Sequence, residues 1–264
     1  MKLHRSVISP LIEFSVFLLS FAAFGPESAL AGTSTPQSDP SAISWAAKAM
    51  TALTGGVQPS SVTLQGNVSR SANGQQETGT VSLQSSGISN SRVDVTFGSK
   101  TLSEVRTFGE NGPAGQWIDT NGTTHELAQH NCWTDAVWFF PALSLLSDYA
   151  DANLVFSDLG QEQHRGATVE HLRLYRTANG LPAAPARTLA LMSVTDYYLD
   201  SQTSLPVATV FFAHPDNDTT TSIPVEITFA GYQRVNQMMV PFQITKYYNG
   251  PQLFQISVSS AQVQ

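Results

Sequence analysis

From Val57 onward the chain takes up a two-residue rhythm of apolar and polar positions. That period gives a strand one buried and one wet face. A first group of such segments aligns Val62, Leu64 and Val68, then Val81 and Leu83, then Val93, Val95 and Phe97, with polar residues between them. TLSEVRTF and QWIDTNGTTHEL continue the rhythm, with Asn121-Gly122 as a tight turn. A second group begins at ANLVFSDL and includes TLALMSVTDYYLD, which reads as a strand. Its clearest members carry Ile223, Val225, Ile227 and Phe229, then Val240, Phe242 and Ile244, then Phe254, Ile256 and Val258. Ahead of both groups, SAISWAAKAMTALTGG reads as an amphipathic helix of about three turns. Asp39 or Ser41 can cap it, Pro40 suits its first turn, Trp45, Ala49, Met50 and Leu53 share a face, and Gly55-Gly56 ends it.

Between the two groups of strands lies HNCWTDAVWFFPALSLLSDY, residues 130–149, with the only cysteine and two of the four tryptophans. Trp138, Phe139, Phe140, Leu143, Leu145 and Leu146 make it apolar nearly all round. A membrane span needs ~20 residues, so a run this short calls for burial between two protein surfaces. Asn131, Thr134 and Asp135 can each cap a helix and Pro141 cannot sit inside one, which predicts two short pieces. The order is helix, five strands, apolar segment, seven strands, and turn-rich links such as Asp200-Ser201-Gln202-Thr203 favour antiparallel neighbours. The expected fold is mainly β (α+β), a strongly curved antiparallel half-barrel of about 11–12 strands covered by a few short helices. The apolar segment is expected to cross the concave face, as a lid on a ligand cavity or as a plug that completes the core.

The N-terminus adds a compartment. Lys2 and Arg5 precede an apolar stretch over 14–24, followed by Pro26 and Ser28-Ala29-Leu30-Ala31, the layout of a secretory signal peptide. The chain divides into a signal peptide over 1–31, a flexible Gly/Ser/Thr/Pro linker over 32–40, and a single domain over 41–264. Gly32 rather than cysteine follows the cleavage site, so the lipid attachment of bacterial lipoproteins has no acceptor. A periplasmic or secreted location is expected, with no transmembrane segment once the signal is removed. The net charge of -7 survives that removal, because Lys2 and Arg5 leave together with Glu13 and Glu27. An acidic chain without a Lys/Arg run excludes nucleic acid as partner and gives no support to adsorption on anionic lipid surfaces. Cys132 has no cysteine to pair with and is expected to be a buried free thiol.

Catalytic motifs are missing: there is no Gly-x-Ser-x-Gly elbow, no His-Glu-x-x-His and no phosphate-cradling glycine loop. His125, His130 and Cys132 are close in sequence but no fourth ligand follows at zinc spacing. Glu170 and His171, adjacent on a strand, point to opposite faces. AHPDNDTTT, 213–221, has the composition of an exposed loop. No enzyme activity, cofactor or metal is expected.

YYLDSQTSLPVATVFF resembles a strand pair around an Asp-x-x-Thr turn in the LolA-like outer-membrane lipoprotein-sorting superfamily, which includes the RseB-type sensor domains. FAGYQRVNQMMVPFQITKYYNG is similar to that superfamily's GYRxVxGxxxP strand pair, here Tyr232, Arg234, Val235 and Pro241, with Asn236 or Gln237 where glycine is usual. The resemblance is specific over about 197–260. It implies an antiparallel half-barrel closed by helices over a cavity that accepts acyl chains. In the carriers an arginine takes part in closing the cavity, and none of Arg92, Arg106 and Arg173 stands in a motif matching it. The expected function is non-catalytic binding of a lipid or an acylated protein. The alternatives are a sensor or scaffold domain that binds another envelope protein, or a secreted hydrolase. The expected cavity and lid residues are Trp138, Phe139, Phe140, Leu143 and Leu146 with Val93, Val95, Phe97, Ile227, Phe229, Phe242 and Ile244. N-terminal sequencing of exported protein is expected to begin at Gly32, with release by osmotic shock and no detergent; an intact N-terminus in the membrane fraction contradicts this.

Overall fold

Among the described residues, thirteen strands form one antiparallel sheet. The computed structural model describes residues 36–72, 75–178 and 180–264, so the signal peptide expected over 1–31 and the first part of the expected linker lie outside the described residues. Helix α1 (Pro40–Thr54) precedes β1 (Ser61–Ala72), β2 (Gln75–Ser86), β3 (Asn90–Phe97), β4 (Lys100–Gly109), β5 (Gly112–Ile118) and β6 (Thr124–Glu126). Three 3-10 turns follow, Gln129–Trp133, Pro141–Leu143 and Leu145–Asp148. Then come β7 (Leu154–His164), β8 (Ala167–Arg176), helix α2 (Ala183–Ser193), β9 (Thr195–Asp200), β10 (Pro206–Ala213), β11 (Ile223–Val235), β12 (Met238–Tyr248) and β13 (Gln252–Val263). Their order across the sheet is β6-β5-β4-β3-β2-β1-β13-β12-β11-β10-β9-β8-β7, so every pair is consecutive in the chain except β1 with β13, and α2 intervenes between β8 and β9. The sheet stays open, with β6 and β7 at its edges. It is a curved half-barrel with few helices.

The two-residue rhythm sets the inner face. Val62, Leu64, Val81, Leu83, Val93, Val95, Val225, Ile227, Val240, Ile244, Ile256 and Val258 are all buried there in one apolar cluster. On α1, Ala42, Ala46, Ala49, Met50 and Leu53 join that cluster, while Trp45 lies at its margin under the Lys48 ammonium, 4.0 Å from the ring centre. The helix ends on Gly55 in the left-handed conformation. Asp39 stands at its N-cap position, but its carboxylate accepts from the Asp158 N–H at 3.0 Å instead of capping the helix. With the Ser38 hydroxyl accepting from the Phe156 N–H, this ties the described end of the 32–40 stretch to β7.

Curvature is written into the strands. Register shifts at Gln65/Gly66, Asp158/Gly160, Pro206/Ala208 and Lys246/Tyr247 each place an irregularity where the sheet bends or twists harder. At Gly66 a Cβ would collide with the Ser257 carbonyl, and at Gly79 with that of Thr96. The turn chemistry also holds. Asp200 Oδ1 accepts from Gln202 N–H, Thr203 N–H and the Thr203 hydroxyl, closing the Asp-x-x-Thr turn. Asn236 takes φ +56 between β11 and β12, a conformation open to asparagine where glycine is usual.

Two expectations need correction. TLALMSVTDYYLD is not one strand: its first half belongs to α2 and only Thr195–Asp200 pairs in the sheet. The stretch AAPARTLALMS is rich in strong helix formers, alanine first among them, and its Thr-Leu-Ala-Leu order mimics a strand only when that alanine is counted as a small outward position. The thirteenth strand is β6, which the Asn121-Gly122 turn separates from β5. Replacing Gly66 or Gly79 by alanine is expected to cost about 1–3 kcal/mol in chemical denaturation, because the neighbouring backbone must shift. Gly109→Ala, which meets open space, is the control and should cost far less.

Candidate functional site

The apolar segment crosses the concave face as expected. Val137, Trp138, Phe139, Phe140, Ala142, Leu143, Leu145 and Leu146 are all buried, Phe139 and Phe140 completely, against the inner strands and α1. Val93, Val95, Ile227, Phe229 and Ile244 belong to the same cluster, and Phe97 and Phe242 pack on its border, so all twelve expected residues come together. Its form differs from two short helical pieces. Phe140, extended at φ -138 and ψ 94, precedes Pro141, which opens a 3-10 turn instead of breaking a helix. A partly open hollow between the segment and β4–β5 holds about 10 Å³, room for about one water, and is lined by Arg106, Cys132, Thr134, Ala136 and Arg176 among others.

Few polar ties hold this apolar mass. Asp135 is buried and accepts three hydrogen bonds: from Val137 N–H at 3.1 Å, from Leu145 N–H at 3.1 Å and from the Tyr197 hydroxyl on β9 at 2.7 Å. One carboxylate thus joins two ends of the segment to each other and to the sheet. Burial pushes its pKa up, against the pull of those hydrogen bonds and of Arg176. Burial also raises Tyr197 well above the ordinary phenol range, and the Asp135 charge adds to that. On the opposite flank Arg106, buried on β4, donates to the carbonyls of Asn131 at 3.0 Å and Thr134 at 3.4 Å and to the Thr134 hydroxyl. The Ser91 hydroxyl donates to the Ala136 carbonyl at 2.6 Å. Asn131 exchanges two hydrogen bonds with the His214 backbone, binding the segment to the loop after β10. Sequence reasoning missed these ties. The available signal was a polar side chain on an inward position: Arg106 shares a face with Leu102 through its pairing with Ser91, while Leu102 pairs with Val95.

The chemically suggestive residues stand apart from one another. His125 stacks on Trp117 and meets Asp119 at 3.2 Å, whose carboxyl is held below its usual range by backbone hydrogen bonds from Thr123 and Asn121 and by His125. Cys132 lies against the Ala128 carbonyl at 3.6 Å, and burial pushes its thiol up, away from thiolate chemistry. His171 and His164 sandwich Tyr198 on the outer face, His171 lying 3.2 Å from both Glu162 and Asp196 and His164 2.9 Å from Glu226. Glu170 turns from His171 to accept from Gln161. Among the described residues no three His, Cys, Asp or Glu side chains gather as a metal site.

A carboxyl whose native pKa is raised binds its proton more tightly in the folded than in the unfolded chain. Its contribution is therefore complete below the ordinary value of 3.8 and is lost as pH rises through the raised native value. Asp135→Asn removes an acceptor from a buried N–H and should cost about 1–3 kcal/mol. The gap to the wild type is expected to be widest near that ordinary value and to narrow toward neutral pH in paired thermal melts; a constant gap contradicts the assignment. Tyr197→Phe should lower stability by a similar amount.

No protein-family model matches the sequence, and no curated protein matches it. Solved structures do. A domain classed with the outer membrane lipoprotein-sorting proteins, from Vibrio parahaemolyticus, is 12% identical with a TM-score of 0.52, over 85% of this chain and 92% of that one. A DUF1329 family protein from Desulfovibrio piger is 11% identical with a TM-score of 0.50, also over 85% of this chain and 92% of that one. At such identities the likeness is one of fold. The chain has the fold that these two proteins share.

Proposed function

We propose that the protein is a non-catalytic carrier of the envelope, exported by its N-terminal signal, that shelters an acyl chain between the concave sheet and the segment over 129–149. One observation supports this above the others: the concave face is covered by a separate run of 3-10 turns, and few polar ties, chiefly those at Asp135 and Arg106, hold it to the sheet. Such a cover can lift without unpairing a strand. Each methylene taken from water contributes ~0.8 kcal/mol, so a chain of some sixteen carbons gains on the order of 10 kcal/mol, enough to offset lifting part of the segment. The apolar lining of Phe140, Leu143, Ile227, Phe229 and Ile244 suits a hydrocarbon chain and offers no group for turnover.

Titration of the mature protein with a fluorescent long-chain fatty acid is expected to saturate at about one site per chain. Phe140→Asp should abolish uptake and lower stability, because a charge enters an apolar site. Tyr197→Phe, which loosens a tie without touching the lining, should keep the capacity and speed the uptake. A wild type that takes up no chain overturns the proposal and leaves the segment as a core plug.

A further inference from the structure

We propose that the sheltered chain ends in an oxyanion, received by the Lys246 ammonium beside the Trp138 indole. This rests on the acyl-chain reading and narrows it: it selects a free fatty acid or another amphiphile with a carboxylate or phosphate head over the neutral, ester- or amide-linked chains of an acylated protein.

Val240, Phe242 and Ile244 on β12 turn inward, and the next position on that face is Lys246, where the rhythm asks for an apolar residue. Its partners across the sheet are Ile227, which is fully buried, and Phe254. The register shift at Lys246/Tyr247 follows immediately, a device that re-aims a side chain. The ammonium stands 4.3 Å from the centre of the Trp138 ring, so the segment's own aromatic and the sheet's inward cation meet at the margin of the apolar cluster.

What is missing there, among the described residues, is an acceptor. Glu104, the acid whose charge bears on Lys246, is already paired with Arg106 at 3.6 Å. Burial lowers the ammonium's pKa, the pull of Glu104 opposes this, and Arg106 adds repulsion. The Trp138 Nε1–H is buried with no hydrogen-bond partner among the described residues, in a side chain only 4% exposed. The Trp138 N–H, a buried donor without an acceptor, and the ammonium over the face of the same ring are thus neighbours, and an oxyanion beside the indole gives both a partner. Lys246 lies near the end of β12, where Tyr248, the next residue on its face, is exposed. A head held there lets the tail run inward along Ile244 and Phe229 while the polar end keeps contact with water.

The mature protein is titrated with palmitate, hexadecyl phosphate, hexadecanol and methyl palmitate, each below its aggregation concentration, and Trp emission is followed. The two anions are expected to bind about ten-fold tighter than the two neutral chains, the worth of one charge-assisted hydrogen bond. Lys246→Gln should erase that preference while leaving the neutral chains unchanged, and Lys246→Arg should keep it. Preference for palmitate or for the alkyl phosphate identifies which head the site takes. If the wild type binds all four alike, or Lys246→Gln weakens all four equally, Lys246 only covers the ring with its stem and the inference fails while the acyl-chain reading stands. If none of the four binds, that reading falls first.

Discussion

The open sheet of thirteen strands among the described residues leaves an apolar concave face that its own side chains do not close over, and water must be kept from it. Contact between that face and the run from Val137 to Leu146 answers this constraint, and the rest of the structure depends on it. The bulges and the two crowded glycines give the sheet its bend, the bend makes the hollow, and the run of aromatics and leucines fills it. Helix α1 closes the remaining side with small residues, so that its axis can come close. The cover follows from the curvature of the sheet.

Apolar contact has no direction, and by itself it would let the segment slide. The buried carboxylate of Asp135 and the buried guanidinium of Arg106 supply direction, each by meeting backbone groups that a segment of 3-10 turns leaves without partners. The division of labour between them is plain: the apolar side chains provide the free energy, and the polar ties select one arrangement. The same division lets a cover be strong against water and still be released by the loss of a few hydrogen bonds.

Much of this was legible in the residues. Ile223 to Phe229 and Val240 to Ile244 declare their faces by alternation alone, and the density of Trp138 to Leu146 declares burial. The hidden parts share a cause. TLALMS alternates like a strand when its alanine is counted as a small outward position, whereas the alanines and Arg187 that precede it favour the helix it forms. Arg106 and Lys246 occupy inward positions of strands, where a one-residue slip would turn them outward, so a local reading places them in water. Asp135 and Tyr197 are 62 residues apart, with β7, β8 and α2 between them, and nothing near either residue announces the other.

The pairing of β1 with β13 sets the order in which this protein can be made. Every other pair joins strands consecutive in the chain, with α2 the largest insertion between partners, whereas Val62 finds Val263 only once β13 is present. Until then the two halves of the sheet are separate meanders, and the inner side of β1 is an unpaired edge open to other chains. Completion of the curved wall, and with it a proper seat for the covering segment, waits for β13. Without β13 the two half-sheets would lack the strand pairing that joins them.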